Sequence, residues 1–259
     1  MSNSLRIGIV FSITLLLWLF LHEGGHFVIA CLLKCHQAVL YHNCVKGLDE
    51  SLGITKNCFV AVAGVIVNLL VAISFHYYVS QAKNRGYFYL FGIFMAAINY
   101  LGLFGYTMMC PIPSYGDMGY VFQALSIPIP FKIAVSIISI LFISRVIKWT
   151  AQKLAAISIP SKSLTFIILL STGLFFLLNL PVEHYASIIG PLAPSLSLLG
   201  LVPHLNRLAK KQVEAQNQRT LTAELPTTSN IPFSTNWLIL LAILILVNRL
   251  LVFGLHNNF

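Results

Sequence analysis

"LLLWLFLHEGGHFVIACLL", residues 15–33, decides how this chain is read. Together with the apolar residues that follow Arg6, the stretch is longer than the ~20 residues a helix needs to cross a hydrocarbon core of ~30 Å. Yet His22, Glu23 and His26 stand in its middle. Ionisable groups are costly inside a membrane span, and those that occur there mark functional sites.

The rest of the chain follows the same apolar pattern. Of 259 residues 58% are hydrophobic and only 9% charged, with a mean hydropathy of +0.84, whereas ordinary soluble domains carry about 25% charged residues. The expectation is an all-α, polytopic transmembrane helix bundle, a multi-pass integral membrane protein with no large soluble domain. Spans are predicted at 6–33, 57–80, 87–109, 129–148, 164–182 and 236–254. A seventh segment, 185–203, is interrupted by Gly190, Pro191, Pro194, Gly200 and Pro203 and reads as kinked or re-entrant. The predicted organisation is a three-span core over 1–128, additional spans over 129–204, a polar basic linker over 205–235 with room for a short surface helix, and a C-terminal span over 236–259.

The net charge of +9 does not point to nucleic acid. Lys and Arg are scattered through short connections beside apolar runs, where membrane proteins keep them, and no basic stripe or aromatic-interleaved patch accompanies them. Arg6 followed by an apolar run resembles a signal peptide, but the run continues through HEGGH without a small-residue cleavage site, so it is expected to be kept as the first span. Cys31, Cys35, Cys44, Cys58 and Cys110 form no CxxC pair, and their odd number argues against a complete disulfide framework.

His22 and His26 are four apart, so on a helix their imidazoles share a face and can converge on one ion. Glu23 sits one step round, where a carboxylate reaches a water molecule at that ion without ligating it. With 8 His in the chain, the HExxH pattern arises by chance in roughly one of two hundred shuffled chains. The alternative is a pair of hydrogen-bonded core histidines beside a paired or protonated acid.

Zinc with two His ligands needs a third protein ligand and one open position for water. Asp49, Glu50, Glu183, Glu214 and Glu224 lie in connections, which leaves Asp117, in a Pro- and Gly-framed bend after the third span. Two neutral imidazoles and the carboxylates of Asp117 and Glu23 around Zn²⁺ sum to zero charge, the least costly state in a low dielectric. Asp117 is also placed to stabilise the turn or cap the helix that begins near Met118.

In the second span Gly64 and Asn68 are four apart. Gly permits close helix approach; Asn68 either donates to a substrate carbonyl or developing oxyanion or makes an interhelical hydrogen bond. Asn99 has the same two readings, with packing preferred. His36 and His42, in a loop without HxxxH spacing, are expected in surface or capping roles, and His76 at an interface or among aromatics.

HEGGH (22–26), AGVIVN (63–68) and INYLGLFGYTMMCPIPSYGDMG (98–119) together resemble the site-2 protease family of intramembrane zinc metalloproteases. The resemblance covers about the first 125 residues. It implies a three-span catalytic core with zinc held by His22, His26 and Asp117, Glu23 activating water, and Asn68 in the place of the family's asparagine. Val65 stands where a proline usually follows the glycine, Met108 where an asparagine is common, and Asp117-Met118-Gly119 where the family has Asp-Gly. Family members usually place the active site toward the cytosol, whereas Arg6, Lys83, Arg85, Arg145, Lys148, Lys153 and Lys162 gather on the side of the N-terminus and favour the cytosol for that end.

The expected function is therefore a zinc-dependent intramembrane metalloendopeptidase, with a transmembrane protein substrate and the lipid bilayer as partners and no nucleic acid. The alternative is a catalytically silent relative that binds a client helix for assembly. A di-iron membrane oxidase needs several clustered His boxes, and the chain has one HxxxH pair.

Overall fold

The computed structural model describes residues 2–35, 37–46, 53–112, 116–157, 159, 161–180, 194–218 and 233–256, with the backbone alone at 211–218. Residues 185–193 of the seventh segment, His36, Asp49, Glu50, Glu183 and Glu224 lie outside them, whereas the remainder of that segment, 194–203, is helical and leads into the helix that begins at Leu201. Eight longer helices are present among the described residues: α1 (Asn3–Leu32), α2 (Gly53–Gln81), α3 (Tyr87–Met108), α4 (Gly116–Ala124), α5 (Ile129–Ala155), α6 (Ser161–Leu178), α7 (Leu201–Gln218) and α8 (Asn236–Leu250). Six helical segments (α1, α2, α3, α5, α6, and α8 with the turn that follows it) are long and apolar enough to cross a membrane, and the chain is a polytopic helix bundle.

Local chemistry sets the helix ends. Ser2 caps α1 by accepting from the Leu5 amide at 3.3 Å, and Lys34, at φ 60°, turns the chain away beyond its last turn. Pro130 lies in the first turn of α5, where its missing N–H costs no hydrogen bond.

α1 is apolar all round, the mark of a helix enclosed by others. It packs against α2, α3, α6 and α8. Phe11 of α1 meets Phe94 of α3 edge to face at 4.9 Å, and Trp18, Ile13, Leu90, Ile93 and Met95 complete a fully buried core. Where α1 crosses α2 the backbones nearly touch: a methyl group on Gly25 would lie 2.8 Å from Val67 Cγ2 and 3.2 Å from the Ala63 carbonyl oxygen. Small residues are what allow such an approach, and this one brings the HEGGH turn against α2.

Two expectations need correction. The segment 205–235 is not linker throughout: α7 runs to Gln218, with Leu201 and Leu205 buried and packed, like Leu208, into the main core. The C-terminal segment 236–259 is not helical to its end either. After α8, Gly254 (φ 79°) turns the chain into a strand, β3 (Leu255–His256), which pairs antiparallel with β1 (Val39–Leu40); β1 in turn pairs with β2 (Val45–Lys46). The connection after α1 is thus a hairpin closed by the C-terminal end of the chain.

His42 of this hairpin is buried rather than superficial. Its Nε2–H donates to the Asn179 carbonyl at 3.1 Å, just beyond α6. Arg249 of α8 donates to the neighbouring carbonyls of Leu178 (2.7 Å) and Leu180 (3.0 Å). Together they satisfy carbonyls that a helix end leaves without partners, so His42 does act as a cap.

Candidate metal centre

His22 and His26 lie in the last third of α1, both buried, with their imidazoles on the face pressed against α2. α3 ends at Met108, and Gly116, at φ 62°, opens α4 with Asp117 in its first turn. Asp117 reaches the two histidines. Its Oδ2 lies 3.1 Å from His22 Nε2 and 3.4 Å from His26 Nε2, while the two Nε2 atoms are 3.3 Å apart. Among the described residues this is the one group of three or more His, Cys, Asp or Glu side chains close enough to hold a metal ion.

The donor set fits zinc. Two ligand atoms about 2.05 Å from zinc and separated by the tetrahedral angle stand about 3.3 Å apart. The three edges found here, 3.1, 3.3 and 3.4 Å, match that spacing. His26 is also held in the required tautomer, because its Nδ1–H donates to the Val60 carbonyl at 2.7 Å and so leaves the Nε2 lone pair free. Loss of water works against ionisation of Asp117, but the adjacent His26 and His22 outweigh it and hold the carboxyl below the ordinary carboxylate range.

Gly64 makes the convergence possible. A methyl group there would stand 2.7 Å from Cε1 and 2.8 Å from Nδ1 of His22, and nearer still to Nε2 of His26. Any side chain at this position would occupy the space the imidazoles fill. Glu23 is half-buried and within electrostatic reach of His22, His26 and Asp117. The hairpin is close by: burial, with the Glu23 charge adding to it, pushes the Cys44 thiol up to about 11. All five cysteines are free.

Asn68 sits one turn beyond Gly64 and is fully buried, its amide nitrogen and oxygen without a hydrogen-bond partner among the described residues. A methyl group on Gly102 of α3 would lie 3.1 Å from Asn68 Nδ2 and 3.0 Å from Trp18 Nε1, so Asn68 faces the α1–α3 seam. Asn99 donates to the Met95 carbonyl of its own helix at 2.8 Å and lies in the packed interior. His76 stacks on Trp149 with ring centroids 4.6 Å apart and meets Tyr100 edge to face, as expected of a histidine among aromatics.

Four contributors were not singled out in the sequence: the Val60 carbonyl, Gly116, Trp18 and Tyr106. Trp18 had a signal, since it precedes His22 by four and shares its helix face. The other three depend on how α1, α2, α3 and α4 meet. Set against protein-family models, characterised proteins and solved structures, the chain has no match.

Proposed function

We propose that this chain is an intramembrane zinc metalloendopeptidase that hydrolyses peptide bonds in or near the transmembrane segments of membrane proteins. The observation that carries the reading is the near-equilateral triangle of His22 Nε2, His26 Nε2 and Asp117 Oδ2, set beside a carboxylate in HExxH order. The resemblance of HEGGH, AGVIVN and the 98–119 segment to site-2 proteases supports it from the sequence side.

His22, His26 and Asp117 would hold the ion. When bound, zinc supplies Lewis acidity, acidifying a water molecule to a pKa of about 7 and polarising the scissile carbonyl. Glu23 accepts the proton of the attacking water and delivers it to the amide nitrogen as the C–N bond breaks. A part in oxyanion binding for Asn68 requires the seam beside Gly102 and Trp18 to open to substrate, since its amide is enclosed.

A helical substrate hides its carbonyls in hydrogen bonds and must unwind to be cut. The hairpin, whose Cys44 feels the Glu23 charge, offers polar backbone near the site, which membranes tolerate where it is covered by protein or lines a water-filled cavity.

Glu23→Gln tests the reading. It should leave zinc content unchanged and lower cleavage of a reconstituted transmembrane substrate by about 10²- to 10⁴-fold. Equal behaviour of wild type and variant, with the client helix bound but never cut, would favour a catalytically silent binding protein.

A further inference from the structure

The two histidines are held in different ways. His26 has a hydrogen bond from Nδ1 to Val60, whereas His22 Nδ1 is buried with no hydrogen-bond partner among the described residues. Metal-binding histidines normally have the second nitrogen anchored, which fixes the ring plane. For His22 aromatic rings take that place. The Tyr106 ring lies parallel to the His22 imidazole, with centroids 5.0 Å apart and planes 4° from each other. Trp18 stacks on the same ring at 6.2 Å and 24°.

Tyr106 also touches the other arm of the triangle. A methyl group on Gly116 would lie 3.0 Å from Tyr106 Cδ1 and 3.4 Å from Cε1, so the Gly116 backbone rests against the ring next to Asp117. One side chain near the end of α3 therefore packs against a histidine of α1 and against the turn that delivers the carboxylate of α4.

We propose that Tyr106 is a positioning residue for the metal centre: its ring sets the plane of His22 and seats the Gly116 turn, so that Nε2 and the Asp117 carboxylate meet at ligand spacing. This deepens the reading of His22, His26 and Asp117 as a metal site and rests on it. The part proposed for Tyr106 at the metal centre is that of its aromatic face. Phe replaces it, whereas Leu, of similar bulk but without a flat π face, does not.

The test uses full-length protein in detergent, with two readouts. In the metal-free state, histidine-selective NMR reports the His22 ring protons, which the Tyr106 ring current shifts upfield. The Tyr106 part of the shift persists in Tyr106→Phe and is lost in Tyr106→Leu, which leaves only the part due to Trp18. In the second readout, zinc affinity of Tyr106→Phe stays within about twofold of wild type, while Tyr106→Leu weakens by about 10- to 100-fold and alters the visible spectrum of the cobalt-substituted protein. Wild-type affinity and an unchanged cobalt spectrum in Tyr106→Leu would overturn the proposal, as would an equal loss in Tyr106→Phe. Should wild type bind no metal while the ring-current shift behaves as stated, the positioning of His22 stands and the metal reading falls.

Discussion

The helices that hold the polar cluster and those at the rim of the bundle are equally apolar in sequence and opposite in use. In α3 the most apolar window is 72% buried inside the protein, and in α1 61%; in α5 the figure is 17% and in α8, with the turn that follows it, 6%. Hydropathy alone marks both kinds as spans. The inner helices differ by their small residues: Gly25 and Gly64 let α1 and α2 meet, and Gly102 makes room for Trp18 and Asn68. The rim presents Ile137, Ile138, Leu141 and Phe142 of α5 and Leu246 of α8 outward, as lipid requires. Polar groups are enclosed where glycines let backbones approach, and sites of tolerance lie where bulky chains face outward.

Substitutions on the two sides should therefore differ sharply. Gly64→Ala puts a methyl group where both imidazoles lie. It should weaken zinc binding by about 10- to 100-fold, the scale seen when groups that orient ligands are lost, and overpacking of this kind costs about 1–3 kcal/mol. Titration with a competing chelator measures the first, and unfolding in a detergent–denaturant mixture the second. A tolerant Gly64→Ala would break the contrast between core and rim.

A smaller effect belongs to the hairpin. Burial, with the Arg249 charge adding to it, holds His42 below its ordinary value against the pull of the Asn179 carbonyl. The neutral form is thus favoured in the fold. Its contribution is fully present above pH ~6.5, the unperturbed imidazole value, and is lost as pH falls through the lowered folded value. What goes with it is the cost of charging a buried ring near Arg249, since protonated His42 keeps its N–H bond to the Asn179 carbonyl. Protection against hydrogen exchange at Leu40 and Leu255, taken relative to the intrinsic rate at each pH, should fall between pH 7 and 5 in wild type, and His42→Gln should flatten that dependence.

At the rim, Leu246→Ala should change stability by no more than about 0.5 kcal/mol, since Leu246 is 59% exposed. A larger loss would show that another element covers this face of α8.

Much of this was legible before the structure. Apolar runs ended by Gly86, Pro130 or charged connections fix helices closely, as α3 shows: 87–109 from the sequence and Tyr87–Met108 in the fold. The histidine spacing and the scarcity of acids singled out His22, His26 and Asp117, which the structure brings together. The pairing of β3 with β1 was not readable, because two-residue strands carry no periodicity and their partner lies more than two hundred residues away. Nor was the contact of Tyr106 with both His22 and Gly116, which arises only where three helices and a turn converge.

The most direct measurement is zinc content and affinity of purified full-length protein beside Asp117→Asn. The account predicts one tightly held zinc per wild-type chain, and a loss of affinity of at least about 100-fold when the carboxylate becomes an amide, with the helical content unchanged. Zinc held equally well by Asp117→Asn, or a wild-type protein that takes up none, would contradict it.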